Sequence, residues 1–232
     1  MIALARMRLT GFLRGGRALA PLITVLVILG VLYGGGASLA APAYGYSAVM
    51  LFPVLAWLSK VLLDTEPDVQ RRLARLTVGP VREAAAGLLA AVVAGAAVCA
   101  LAMLAPWLVG GIRGPLPGTA EPGVAPGVAL GVLAHLLALA GGVALGALAG
   151  RAVTRRILPG VAVLVTGSVL TIVLGLRGSI APWLVPPVMA VARALSGRTL
   201  PTAGLLLHLV AETMLWCAVV VALYGVLRRR RA

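Results

Sequence analysis

No charged residue occurs between Arg17 and Lys60, and this interval restricts the possible folds of the chain more than any other feature. A bilayer core about 30 Å thick is crossed by about 20 apolar residues in a helix, so the interval has room for two crossings. The stretch from Gly34-Gly35-Gly36 to Pro42 divides it. Further apolar runs follow, and the whole pattern predicts helices at about 18–35, 43–63, 84–109, 127–150, 157–176 and 203–227. Of the 232 residues, 61% are hydrophobic and 11% charged, whereas soluble domains run near 45–50% and about 25%. A soluble core cannot bury that much apolar surface, but lipid solvates it. The expected fold is all-α and polytopic, a single transmembrane domain over residues 1–232 with six spanning helices.

The first apolar run also has the layout of a signal peptide. Arg6 to Arg17 form its charged region, Leu19 to Tyr33 its apolar region, and Ser38-Leu39-Ala40 a small-residue cleavage site. Because the run is long enough to span, it is read as a retained first helix. Residues 1–15 are too polar to insert. Ile2, Ala5, Leu9, Phe12 and Leu13 share one helical face, with Arg6, Arg8 and Arg14 around the rest, which predicts a helix lying in the membrane interface.

Basic residues set the orientation. Arg6, Arg8, Arg14, Arg17, Lys60, Arg71, Arg72, Arg75, Arg82, Arg151, Arg155, Arg156 and Arg228 to Arg231 fall on one side, sixteen of the chain's 20. Arg113, Arg177, Arg193 and Arg198 fall on the other. The positive-inside rule makes the larger set cytoplasmic, with both termini inside a bacterial plasma membrane. The net charge of +14 is thereby matched to anionic membrane lipid. Nucleic acid is not an expected partner, since no basic stripe with interleaved aromatics occurs. Cys99 and Cys217 lie inside apolar runs without metal-ligand spacing, so neither a metal site nor a disulfide is expected.

Three connectors stand out. Residues 110–126 carry Pro115, Pro117, Pro122 and Pro126 among glycines and read as an irregular outer loop. Within 178–202, the apolar run from Ser179 to Ala192 is too short to cross and is interrupted by Pro182, Pro186 and Pro187, which predicts a re-entrant or interfacial segment. The 64–80 connector contains a short amphipathic helix. Asp64 or Thr65 can cap it, Pro67 suits its first turn, Glu66 and Asp68 favour the positive end of its dipole, and Gly79-Pro80 ends it. Val69, Leu73 and Leu76 make its apolar face, while Arg71, Arg72 and Arg75 take the others. Two readings stay open: a linker resting on the bilayer surface, or a docking helix for a groove on a soluble partner.

No G-x-x-x-x-G-K-[S/T] loop occurs, and Lys60 is the only lysine. The chain therefore has no nucleotide cradle of that kind, and any ATP hydrolysis belongs to another polypeptide. No H-E-x-x-H or Ser-His-Asp arrangement suggests a hydrolase, and the chain is not expected to be an enzyme. Three ionisable residues fall within spans: His135 in the fourth, and His208 and Glu212 in the sixth. His208 and Glu212, four residues apart, can pair on one helical face. The group forms either a polar spot in a translocation pathway or a polar latch between helices.

These parts together resemble the membrane subunit of type-2, exporter-like ABC transporters, in particular the short actinobacterial permeases. The resemblance covers nearly the whole chain. It rests on the N-terminal amphipathic helix, the six spans, the broken segment before the last span, and the wording Trp57-Leu58, Asp64-Thr65-Glu66-Pro67-Asp68 and Gln70-Arg71. It implies that Thr65 to Thr77 form a coupling helix seated in a cleft of a separate ATPase subunit. Contacts to that partner would come from Thr65, Glu66, Pro67, Asp68, Val69, Gln70, Arg72, Leu73 and Leu76. It also implies that Ser179 to Ala192 are re-entrant, that a second permease chain pairs with this one as a homo- or heterodimer, and that ATP and Mg bind the partner alone. Export of an amphipathic or hydrophobic substrate is implied as well. The small outer loops depart from family members that carry a large extracellular domain. Two other functions compete: a proton- or ion-coupled secondary carrier using His135, His208 and Glu212, and a membrane scaffold subunit that transports nothing.

Overall fold

The computed structural model describes residues 1–119, 121–197 and 199–230. Arg198 and Arg231, counted above among the basic residues, lie outside the described residues. The chain begins with α1 (Ile2–Arg14) and α2 (Leu19–Tyr33), which meet at a bend of 76°. A short strand β1 (Ser38–Leu39) leads into α3 (Ala40–Leu63), then α4 (Asp68–Val78) and α5 (Pro80–Leu108). Strand β2 (Ile112–Arg113) precedes α6 (Val124–Ala149), α7 (Arg151–Thr154) and α8 (Ile157–Leu174). After a 3₁₀ turn at Pro182–Leu184 come α9 (Val188–Leu195) and α10 (Ala203–Arg230).

Among the described residues, five helices are long and apolar enough to cross a membrane: α3, α5, α6 continued through α7, α8 and α10. A sixth is reached if the bent α1–α2 pair counts as one. The expected first crossing at 18–35 is realised as the 15 residues of α2, a rise of about 22 Å that falls short of a 30 Å core on its own. The glycine run explains the early stop, since Gly36 takes φ 115° and the helix cannot continue through it. The other helices end within a few residues of expectation. α5 starts at Pro80 rather than near 84 because proline's fixed φ suits a first helical position.

The core lies between α3 and α6, both mostly buried, whereas α5, α8 and α10 leave most of their apolar surface exposed. Sequence explains the close approach. Gly146 faces the α3 backbone, where a Cβ would sit 2.5 Å from the Ala56 carbonyl oxygen and 2.6 Å from the Ser59 Cβ. Small residues at four-residue spacing allow this contact, so the glycines of the fourth predicted span serve packing within the chain. Pro53 lies inside α3 without ending it.

The two ends of the bundle differ. One end collects α1, α4, α7 and the C-terminus of α10, with most of the arginines. At the other, β1 and β2 pair in parallel, Ser38 opposite Ile112 and Leu39 opposite Arg113. The 110–126 loop is thus less irregular than its prolines suggest. Glu121 accepts from both Arg113 terminal nitrogens at 2.8 and 2.9 Å and from the Leu116 amide at 2.9 Å. These contacts hold its carboxyl well below the usual range, at about 2, with the Arg113 hydrogen bonds the main cause. Two-residue strands carry no alternation, so no sequence pattern announces them.

At the same end α9 buries Val188, Val191, Ala192 and Leu195 against the bundle. Gly45 of α3 leaves room for the Ala192 backbone and the Leu195 side chain. Arg193 donates to the carbonyl of Gly175 just beyond α8, and the Trp216 indole donates to the Leu184 carbonyl at 2.9 Å. The broken segment is therefore packed from Val185 onward, while Ile180, Trp183 and Leu184 before it stay exposed.

Candidate functional site

The connector between α3 and α5 has two contrasting sides. On the outer side of α4, Val69, Leu73 and Leu76 are 68%, 57% and 84% exposed. A helix covers its apolar stripe with something, and among the described residues no other part of the chain covers this one. Pro67, Asp68, Gln70 and Arg72, also expected at a partner contact, are exposed too, and Thr65 is half-buried.

Glu66 behaves differently. It is 6% exposed and faces inward, where its carboxylate meets the Arg8 guanidinium at 2.5 Å. The same Arg8 nitrogen lies 2.5 Å from the Glu83 carboxylate, and Arg8 Nη1 donates to the Glu83 carbonyl at 3.1 Å. Gly87, one turn along α5, has no side chain, and the Arg8 guanidinium occupies that space. Glu83 also pairs with Arg75 of α4 at 3.5 Å and with Arg228 of α10. Arg228 in turn donates to the Tyr224 hydroxyl at 2.6 Å and lies 5.6 Å from the centre of that ring. One carboxylate, 1% exposed, thus ties α1, α4, α5 and α10 together.

A second set of contacts grips the start of the connector. Lys60 meets Asp64 at 2.8 Å, and the Asp64 carboxylate accepts from the Arg151 backbone amide at 2.7 Å. Arg151 and Arg17 donate to the Asp64 and Thr65 carbonyls at 2.6 and 3.2 Å. Arg71, on the inner side of α4, donates to the Leu63 and Glu66 carbonyls at 3.3 and 3.4 Å. This network changes the expected capping. α4 starts at Asp68 behind Pro67 with no side-chain cap, because Asp64 is engaged by Lys60 and Arg151 and the Thr65 hydroxyl donates to Val61 at 2.9 Å. At its far end Gly79 adopts φ 85° and ψ 155°, a conformation open to glycine, so α4 turns into α5 across a single residue.

Sequence reasoning missed Arg8, Arg75, Glu83 and Arg228 as a unit, since the hydrogen bonds from Arg8 to Glu66 and Glu83 span 58 and 75 residues. One signal was available. The chain has 6 acidic residues, and Asp64, Glu66, Asp68 and Glu83 all fall in this one region.

The three expected intramembrane groups do not form one site. His135 of α6 is 1% exposed and fully engaged. Its Nδ1 lies 2.8 Å from the Gly131 carbonyl, which can only accept, so in the neutral ring Nε2 accepts from the Ser47 hydroxyl at 3.0 Å. His135 is a polar link between α6 and α3. His208 and Glu212 stand 3.9 Å apart on α10, beyond hydrogen-bond distance, and the His208 side chain is 74% exposed. The expected hydrogen bond between them is therefore not made, and among the described residues neither bonds to another helix. Among the described residues no group of three or more His, Cys, Asp or Glu could hold a metal ion.

No family model matches the chain, and no match was found among curated proteins or solved structures.

Proposed function

We propose that the chain is the transmembrane permease subunit of an ATP-driven transporter of the type-2, exporter-like ABC class, powered by a separate ATPase subunit. The observation that carries this reading is α4. Its outer face offers Val69, Leu73 and Leu76 to a partner, while buried ion pairs fasten its inner side to the bundle. A helix only resting on lipid needs the first feature but not the second. A helix that transmits a push needs both.

In this reading the basic end faces the cytoplasm, both termini are inside the plasma membrane, α1 lies in the interface, and α9 with its preceding turn re-enters from outside. Two permease chains pair around a pathway. ATP and Mg bind the ATPase subunits, whose closure displaces α4 in each permease. The anchor passes that displacement to α1, α5 and α10 as rigid bodies, shifting the balance between inward-open and outward-open states. An amphipathic or hydrophobic exported cargo suits the mostly apolar helix surfaces.

The test is co-purification with a phosphate-loop ATPase encoded beside it, then measurement of ATP turnover. Val69→Asp, Leu73→Asp and Leu76→Asp lie on an exposed face, so the folded permease should survive while the complex dissociates or turnover uncouples from transport. Normal assembly and coupled turnover in all three variants would overturn the proposal.

A further inference from the structure

At the basic end, α10 leans on α6 and α7, and α5 leans on α1, α3 and α6. Between α5 and α10 a cleft of about 380 Å³ is left open. Ala84 and Leu88 line it from α5, Val221 and Gly225 from α10, and its rim carries Arg75, Arg228 and Arg229. Both walls belong to helices apolar enough to cross a bilayer, and the rim sits where those helices end. The cleft is apolar along its length and cationic at its mouth.

Charge in the neighbourhood is unbalanced. Among the described residues, the three guanidiniums Arg8, Arg75 and Arg228 meet only the two carboxylates Glu66 and Glu83. Arg228 is nine-tenths buried, with 8% of its side chain exposed. Arg229 adds another positive charge on the rim, and among the described residues no carboxylate stands beside it. Buried positive charge in excess of its partners is costly unless an anion approaches. A small hydrophilic anion gains nothing from the apolar walls.

From this juxtaposition we propose that the α5–α10 cleft binds an anionic phospholipid, its phosphate at Arg75, Arg228 and Arg229 and its acyl chain between Ala84, Leu88, Val221 and Gly225. Basic pockets between membrane helices recognise lipid headgroups by this combination. The site neighbours the Glu83 anchor, so bound lipid brings the missing negative charge to the junction that holds α4. It does not depend on any ATPase.

The test uses the full-length protein in neutral detergent, with native mass spectrometry and thermal unfolding during titration with phosphatidylglycerol, phosphatidylcholine or inorganic phosphate. Gly225→Leu puts a side chain into the cleft, and a Cβ at that position meets nothing within 4 Å. Arg229→Gln removes an exposed rim charge. Phosphatidylglycerol is expected to bind and raise the unfolding temperature, Gly225→Leu to abolish both effects, and Arg229→Gln to weaken binding about fivefold. Equal binding of phosphatidylcholine overturns the proposal, as does equal protection by inorganic phosphate. If Gly225→Leu unfolds in lipid-free detergent, Arg229→Gln decides alone, and undiminished affinity in that variant refutes the site.

Discussion

Glu83→Gln is the substitution that tests the anchor most directly. It keeps the side-chain shape and removes one negative charge from a position 1% exposed. Arg8 would then keep Glu66, while Arg75 and Arg228 would lose the carboxylate they pair with. Removing one partner of a buried ion pair costs about 3–5 kcal/mol, because the remaining charge stays buried without compensation. For a chain of this length that corresponds to a fall of roughly 6–20 °C in Tm. The assay is thermal unfolding in detergent, with hydrogen exchange over α4 as a local reading. Amides of Asp68–Val78 should lose protection more than those of α3. The double variant Arg8→Met/Glu83→Met removes one charge of each sign, so it should lose far less than the sum of its single substitutions. A loss below about 1 kcal/mol for Glu83→Gln, the range of an exposed ion pair, would refute the reasoning. So would simple additivity in the double variant.

Two further outcomes can be checked on the same protein. Gly146→Ala places a Cβ 2.5 Å from the Ala56 carbonyl oxygen and should cost about 1–3 kcal/mol in thermal unfolding, while Gly30→Ala, where a Cβ meets nothing within 4 Å, should cost nothing. The Glu121 carboxyl is lowered from 4.5 to about 2 by Arg113 and the Leu116 amide. A depressed carboxylate stabilises the folded loop above its ordinary value and loses that contribution as pH falls through the folded one. Protection of the Leu116 amide should therefore persist at pH 5 and disappear between about 4.5 and about 2, with Glu121→Ala, which has no side-chain acceptor, unprotected throughout.

The long apolar helices were legible in the sequence because their signal, run length and composition, is one-dimensional. Apolar runs of sufficient length, set off by charged residues or by glycine and proline, mark α3, α5, α6, α8 and α10 with little regard to what packs where. The amphipathic face of α4 was legible for the same local reason. The failures at the connector are long-range. Asp64 has the chemistry of a cap, but whether it caps α4 depends on Arg151, which the fold brings beside it from the α6–α7 junction. Glu66 has the position of a partner contact, but Arg8 turns it inward. His208 and Glu212 have the right spacing to bond, yet helical spacing fixes only a shared face and not which way that face points.

Arg8 comes from the first helix and Arg228 from the last, and both converge on Glu83. That convergence gives α1 a place in the fold beyond covering its own apolar stripe. If α4 were hinged freely at Gly79, a force on Val69, Leu73 and Leu76 would rotate it without moving the helices behind it. The pairs Arg8–Glu66 and Arg75–Glu83 close that hinge from both ends of the connector. They are buried, so salt and water screen them little. Under the proposed coupling role, the exposed stripe would give α4 a surface to be held by, and the enclosed ion pairs would make the bundle follow.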